Sequence, residues 1–156
     1  MRTLLVVLAS AALAVPALAW ATSRAADDGT LSVKNGDGVI FVSARGTIIG
    51  ACDKCRVSIV DPSPDDGAPA VVNGAETHKD LSDTHDLYVG TDVRFRLVGG
   101  IFRIKVSGNG IDLGVVAKGW GRIQAYDSNT GTFSVNGAAP RLLPAEREVV
   151  VLTSTS

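Results

Sequence analysis

The chain has 156 residues, of which 46% are hydrophobic, and its 15 lysines and arginines nearly balance its 16 aspartates and glutamates. A near-neutral chain is not typical of proteins that bind nucleic acid or adhere to anionic membranes through net charge, so no specific nucleic-acid partner is expected. This length suits one domain with its own core rather than two.

The N-terminus has the pattern of a secretory signal peptide. One basic residue, Arg2, precedes an apolar run that extends to about Ala21, and small residues suit cleavage after Ala19 or Ala21. We therefore expect a signal peptide over residues 1–21, a short linker over 22–29, and a secreted or cell-envelope location with no membrane span after cleavage. A retained signal anchor is the alternative, because about 18 apolar residues can just cross a bilayer.

Residues 30–154 carry the pattern of a single all-β domain. Short runs rich in valine and isoleucine alternate with glycines, and no stretch keeps a helical period for three turns. Many short strands with one apolar face must pack on a second sheet or close on themselves. We therefore predict an antiparallel β-sandwich, with a small closed β-barrel as the alternative.

The first motif that carries chemistry is C-x-x-C, formed by Cys52 and Cys55. A turn at residues 53–54 would place the cysteines opposite each other, about 4.5–5.5 Å apart between Cα atoms, a separation that a disulfide accepts. A redox thiolate needs a helix N-terminus or a nearby cation, and a zinc site would need His78 and His85, whose spacing is too wide. An even cysteine count in an exported chain favours a disulfide, with metal and redox roles as alternatives.

Residues 61–86 form an acidic segment with seven aspartates and glutamates and one lysine. Its prolines, glycines, asparagine and aspartates predict a polar loop. Six of its aspartates could offer oxygen ligands to Ca²⁺, although the segment lacks the spacing of a calcium-binding loop. These are Asp61, Asp65, Asp66, Asp80, Asp83 and Asp86.

The clearest strand pattern is VRFRLVGGIFRIKVSGNGIDLGVV, residues 93–116. The glycine pair at 99–100 is a hairpin signal, because paired positive-φ residues match the twist of the flanking strands. A turn there would pair Phe95 with Ile104, and a second turn at SGNG would pair Ile104 with Leu113, so one face of a three-stranded meander would be apolar. That face comprises Phe95, Leu97, Phe102, Ile104, Ile111, Leu113 and Val115.

The opposite face of the same hairpin is basic. The register would place Arg96 opposite Arg103 and Arg94 opposite Lys105, and like charges directly opposed destabilise a sheet. Arg122 adds a further cation nearby. These five residues predict an anion-binding face for an anionic envelope polymer or glycan. The alternatives are that the acidic segment folds over the five cations and neutralises them, or that they form an ordinary solvated face with no specific ligand.

Two stretches, GTIIG…RVSIVDPSPDDG and residues 93–116, resemble a group of small exported all-β bacterial proteins without an assigned activity. The resemblance covers nearly all of the chain after residue 21. It implies export and an all-β fold, and it implies no activity, substrate or catalytic residue. In the similar sequences the turn that holds Cys52 and Cys55 need not contain cysteine, which argues against a redox or metal role for the group.

The sequence lacks the short motifs of common catalytic sites, such as G-x-S-x-G or H-E-x-x-H. Scattered residues can still converge, and Ser82 or Ser107 with His85 and Asp86 would form a hydrolytic site. We expect a non-catalytic binding or structural domain of the cell envelope without a cofactor or metal, and keep a secreted hydrolase as the alternative. Trp120 is expected to cap the edge of the core rather than stack on a sugar.

Overall fold

The computed structural model describes residues 27–127 and 130–154. The expected signal peptide, 1–21, lies outside them, as does most of the expected linker over 22–29. The described residues confirm an all-β, antiparallel fold. Its elements are β1 (Gly29–Val60), a 3-10 helix (Pro64–Asp66), β2 (Ala68–Ser82), β3 (His85–Ala125), β4 (Thr132–Val135), β5 (Arg141–Leu142) and β6 (Glu148–Leu152). Within the described ranges, no helix is long and apolar enough to span a membrane.

The two longest strands, β1 and β3, form the arms of one antiparallel ribbon. Residues 47–60 of β1 pair with 85–98 of β3, and residues 29–45 pair with 101–117 further along the same ribbon. β2 pairs with the 85–98 segment of β3. Both arms are rich in valine and isoleucine, whose branched side chains favour extended backbone.

The ribbon winds back on itself. Arg45 pairs with Ile101, while the next residue along the chain, Gly46, pairs with Ala117. A straight strand from 101 to 117 would be about 53 Å long at 3.3 Å per residue, yet its two ends lie beside consecutive residues of β1. The segment therefore curves back toward its own start. As a result β1 has β3 on both sides, and residues 39–45, for example, pair with 101–107 on one side and with 118–124 on the other.

Within the described residues, the outer strands of this sheet do not pair with each other. The strand order is β2-β3-β1-β4-β5, and β6 pairs with β3. No backbone pair in the described part of the chain joins the two ends of this order. The alternative of a small closed β-barrel is therefore wrong.

One face of the wound ribbon forms the hydrophobic core. The seven residues of the predicted apolar face in 93–116 are each no more than 3% exposed, which confirms that prediction. They share the core with side chains of β1 such as Ile48, Val57 and Ile59, and with Phe133 of β4. Among the described residues, no polar or charged residue is buried in this core, so burial of apolar surface is its main source of stability.

The cross-strand partners differ from the predicted meander. Ile104 pairs with Val42 and Ile59, both in β1, and has no free side on which to pair with Phe95. The predicted hairpins are wrong, because a period-2 pattern specifies the face that a residue occupies and not the strand that lies beside it.

The two glycine-rich stretches predicted as turns are β-bulges within β3. Residues 99–100 lie opposite the single residue Gly46, and residues 109–110 lie opposite the single residue Asp37. Each pair contains a glycine at positive φ, +83° in the first and +61° in the second, which glycine adopts without steric cost. Because bulges bend a strand and increase its twist, these glycines help to wind the ribbon.

Candidate functional site

Cys52 and Cys55 form a disulfide with their Cα atoms 6.1 Å apart. Both are buried, and they are the only cysteines in the chain, so the predicted disulfide is confirmed and no thiol is left for redox or metal chemistry. The predicted turn at residues 53–54 is wrong, because β1 continues through it and Cys52 pairs with Val93 of β3. On a regular strand, side chains three positions apart point to opposite faces. Cys52 and Cys55 point to the same side because the alternation of buried and exposed residues is interrupted between them, where residues 53 and 54 are both exposed.

The acidic segment, residues 61–86, is mostly a strand rather than the predicted loop. β2 occupies its centre and pairs with β3, because the backbone hydrogen bonds of a strand pair outweigh the loop-forming tendency of single residues. Its carboxylates have separate contacts. Asp66 pairs with Arg45 at 2.9 Å, and Asp61 accepts a hydrogen bond from the Ser63 N–H. The six predicted aspartates therefore do not gather into one Ca²⁺ site.

A groove on the outer face of the sheet, called here the first groove, contains two of the predicted cations, Arg94 and Arg96. Its volume is about 530 Å³, and Lys34 of β1 also lines it. The sequence did not indicate Lys34, because Lys34 comes close to Arg94 and Arg96 only when the ribbon winds.

The first groove is built from a row of paired residues. Ile49 of β1 pairs with Arg96 on one side and with Gly114 on the other, and Val71 of β2 pairs with Arg96 from outside. Gly114 leaves the floor open, because a Cβ added there would meet only the Ile49 carbonyl oxygen, at 3.9 Å. The side chains of Ile49 and Val71 are about half exposed and give the groove apolar walls.

The cations of the first groove have no carboxylate partner in the described part of the chain. Among the residues that the structure describes, no ion pair involves Lys34, Arg94 or Arg96, and all three are exposed. The carboxylate that lines the groove, Asp112, accepts a hydrogen bond from the Asn35 backbone N–H at 2.9 Å. Three cations therefore face one carboxylate, and this excess of positive charge suits an anionic ligand.

A smaller groove of about 290 Å³, the second groove, contains two more predicted cations, Lys105 and Arg122, together with Arg147. Phe41 also lines it and pairs with both Lys105 and Arg122. The Trp120 ring lies 5.2 Å from the Phe41 ring between centroids, and the Arg122 guanidinium lies 4.8 Å from the Trp120 centroid. Trp120 therefore packs beside this groove in a cation–π contact.

The five predicted cations are divided between separate places. Arg94 and Arg96 lie in the first groove, Lys105 and Arg122 in the second, and Arg103 lines neither. The predicted cross-strand pairs of like charge are not formed, because each of the four hairpin cations pairs with β1 or β2 instead. The repulsion that the hairpin register implied is therefore absent.

The structure brings a serine to His85, but neither of the two predicted. The Ser58 Oγ lies 2.8 Å from the Nε2 of His85, whereas Ser82 and Ser107 make no side-chain bond to it, and Asp86 bonds the other histidine. Among the described residues no carboxylate accepts a hydrogen bond from the Nδ1 of His85. The Ser58–His85 pair therefore lacks the group that orients a histidine to act as a general base. The predicted Ser/His/Asp set is not assembled.

An ion pair connects the short C-terminal strands. Arg141 of β5 donates hydrogen bonds to both carboxylate oxygens of Glu148 in β6, one of them at 2.9 Å, and its guanidinium lies 4.2 Å from the centroid of the Phe133 ring. The hydrogen bond from Arg141 lowers the pKa of Glu148, and the same bond raises the pKa of Arg141. This pair is a structural contact, since it lies at neither groove.

No protein-family model, curated protein or solved structure matches the chain. A fold alone does not imply a function. The function is therefore inferred from the charges and contacts of the two grooves.

Proposed function

We propose that this chain is an exported, non-catalytic β-domain of the cell envelope that binds an anionic polymer or glycan through the first groove. The observation that carries the proposal is that Lys34, Arg94 and Arg96 line one groove and form no ion pair among the described residues. Clustered cations repel one another. An anion that accepts hydrogen bonds from two guanidinium groups and an ammonium group would relieve that repulsion.

The shape of the first groove suits one unit of a charged glycan. Its volume of about 530 Å³ lies in the range of about 300–1,000 Å³ that is typical of small-molecule sites. Ile49 and Val71 offer apolar surface against which a sugar ring can pack, and Asn73 offers an amide. A carboxylate, sulfate or phosphate on the same unit would lie against Arg94 and Arg96.

The acidic segment favours an open groove over internal neutralisation. It supplies β2 to one wall, but the carboxylates with described contacts are engaged elsewhere. Asp66 pairs with Arg45, and Glu76 accepts hydrogen bonds from Thr91. The positive charge of the first groove is thus left for a ligand.

The second groove supports a polymer rather than a single small anion. Its cations, Lys105, Arg122 and Arg147, also form no ion pair within the described residues. Like the first groove, it lies on the outer face of the wound ribbon, where Lys105 and Arg122 are exposed. A chain with repeating charges can contact more than one cationic site, and each contact adds affinity.

Export and a β-sandwich arrangement belong to the same proposal. The signal-like sequence of residues 1–21 and the Cys52–Cys55 disulfide support an oxidising compartment outside the cytoplasm. The winding of the ribbon supports two packed layers, because the single buried face must be covered by another part of the same sheet. The alternative of a secreted hydrolase has, among the described residues, only the Ser58–His85 pair in its favour.

Two variants test the first groove by charge and by shape. Arg94→Gln combined with Arg96→Gln removes two charges, and Gly114→Leu fills the open floor without changing charge. Each variant should weaken binding to immobilised polygalacturonate, a carboxylated glycan, at least tenfold. The melting temperature of each should equal that of the wild type. The matched control, Arg56→Gln combined with Lys118→Gln, removes the same charge outside both grooves and should bind like the wild type.

The dependence of binding on salt concentration is the second measurement in that experiment. Wild-type affinity should fall as sodium chloride rises from about 0.05 to 0.5 M, because charge interactions are screened over about 10 Å at 0.1 M. Equal loss of binding in the groove variant and the matched control would reject a specific groove. Undiminished binding by Gly114→Leu would reject the first groove as the site.

A further inference from the structure

A histidine and two aspartates meet near the end of the β2–β3 hairpin, away from both grooves. The Nε2 of His78 lies 2.9 Å from the Oδ1 of Asp80 and 2.9 Å from the Oδ1 of Asp86. The three ligand atoms all lie within 4.8 Å of one another. We call these three residues the His78 cluster.

The backbone register places the His78 cluster on one face. Asp80 pairs directly with Asp86, and His78 pairs with Tyr88. Residues two apart on a strand point the same way, and directly paired residues share a face. The meeting of the three side chains therefore follows from the pairing of β2 with β3 and does not depend on a mobile loop.

One imidazole nitrogen cannot satisfy two carboxylates. Nε2 carries at most one N–H, so it can donate one full hydrogen bond, whereas two carboxylate oxygens lie at the same short distance. The second carboxylate then shares a donor while facing a like charge. A divalent cation resolves this conflict, because it binds both oxygens and the nitrogen lone pair at once.

The distances agree with such an arrangement. Ligands about 2.1 Å from one zinc ion are about 3.0 to 3.4 Å apart, for angles between a right angle and the tetrahedral angle. The two N···O separations of 2.9 Å are close to that range, and the two carboxylate oxygens lie within 4.8 Å of each other. Bringing these two oxygens to about 3.4 Å apart would place the three atoms around a common ion.

One further observation favours a cation here. The His78 ring stacks on Tyr88 with centroids 4.4 Å apart and an interplanar angle of 6°, which orients the imidazole independently of the carboxylates. The imidazole is thus held in place beside Asp80 and Asp86 before any ion binds.

We propose that His78, Asp80 and Asp86 bind one divalent transition metal ion of the zinc class. An imidazole ligand suits zinc and its neighbours, whereas Ca²⁺ and Mg²⁺ prefer oxygen ligands alone. The side chains are 47%, 78% and 37% exposed, respectively, so water or another molecule can reach the remaining coordination positions. This inference goes beyond the anion-binding proposal and is independent of it.

The test uses untagged, chelator-treated protein and zinc chloride as the probe. Calorimetry should show one zinc ion bound with micromolar affinity. Because the chain contains two histidines, nuclear magnetic resonance of the imidazole groups should show that zinc perturbs His78 and leaves His85 unchanged. His78→Gln and Asp86→Asn should each weaken binding at least tenfold.

The controls use the same residue types outside the cluster. His85→Gln and Asp83→Asn should keep the wild-type affinity, and circular dichroism should show that all four variants are folded. The proposal is overturned if zinc does not saturate a single site, if His78→Gln binds as the wild type does, or if zinc binding is lost in His85→Gln. It is also overturned if Ca²⁺ binds as tightly as zinc.

Discussion

The Oδ1 of Asp37 accepts a hydrogen bond from the backbone N–H of Gly110 at 2.9 Å and joins two residues 73 positions apart in the chain. Asp37 lies opposite the two-residue bulge at 109–110. A bulge interrupts the backbone ladder, so this carboxylate satisfies a donor at the interruption. The contact shows how a side chain supports a bend in the wound ribbon.

The bulge predicts an effect of substituting its glycine. Gly110→Ala should lower the free energy of unfolding by about 1–2 kcal/mol or more, because alanine is disfavoured at positive φ and its Cβ would collide with the Asp53 carboxylate. Urea unfolding measures the change. Gly114→Ala is the control, since its φ is not positive and its Cβ meets only one atom, at 3.9 Å. Equal destabilisation by both substitutions would mean that the bulge conformation is not the cause.

The alternation of faces in β3 predicts opposite outcomes at neighbouring residues. Ile104 is 1% exposed, so Ile104→Asp should cost several kcal/mol because it buries an unpaired charge. Arg103→Asp should be tolerated, because Arg103 is exposed. If Ile104→Asp does not fold, Ile104→Val should still lower stability by about 0.5–1.5 kcal/mol. Similar melting temperatures for Ile104→Val and the wild type would contradict the assigned burial.

The disulfide predicts the number of thiols and a modest contribution to stability. Thiol titration of the purified, unreduced protein in denaturant should detect no free thiol. Replacing both Cys52 and Cys55 with alanine should lower the free energy of unfolding by about 2 kcal/mol, because the bridge closes only a short loop in the unfolded chain. Two titratable thiols in the wild type would contradict the assignment.

The Arg141–Glu148 pair predicts a small dependence of stability on acid. The pKa of Glu148 is lowered from its usual 4.5. The ion pair therefore stabilises the folded protein above about pH 4.5, and this stabilisation is lost as the pH falls through the folded-state pKa of Glu148. The free energy of unfolding at pH 7 should therefore be higher for the wild type than for Glu148→Gln, by no more than about 1 kcal/mol for a partly exposed pair, and this difference should shrink below pH 4.5. Glu146→Gln is the control, because Glu146 forms no ion pair among the described residues. A gap that stays constant with pH would argue against the pair.

Much of the inside-outside pattern could be predicted from the sequence. The apolar residues of 93–116 are buried as expected, and Arg94, Arg96, Arg103 and Lys105 are exposed on the other face. This succeeds because alternation is a local property of an extended backbone. The disulfide also followed from local spacing and from the cysteine count, although the turn expected between the cysteines did not form.

The candidate sites depended on partners that the sequence does not specify. Lys34 joins Arg94 and Arg96 at the first groove, and His78 meets Asp80 and Asp86 through a strand in a segment expected to be loop. Backbone N–H and C=O groups are the same in every residue except proline, so many pairings satisfy them equally well. Local patterns therefore could not identify these neighbours.

The sequence by itself determined that the protein is all-β, which side chains are apolar and buried, and that its two cysteines pair. Only the tertiary structure decided that the residue pairs 99–100 and 109–110, each of which contains a glycine at positive φ, form bulges rather than hairpins, and therefore which strands are adjacent. The physical reason is that glycine permits both conformations at similar cost, so the choice depends on the burial gained by winding the whole ribbon around one core.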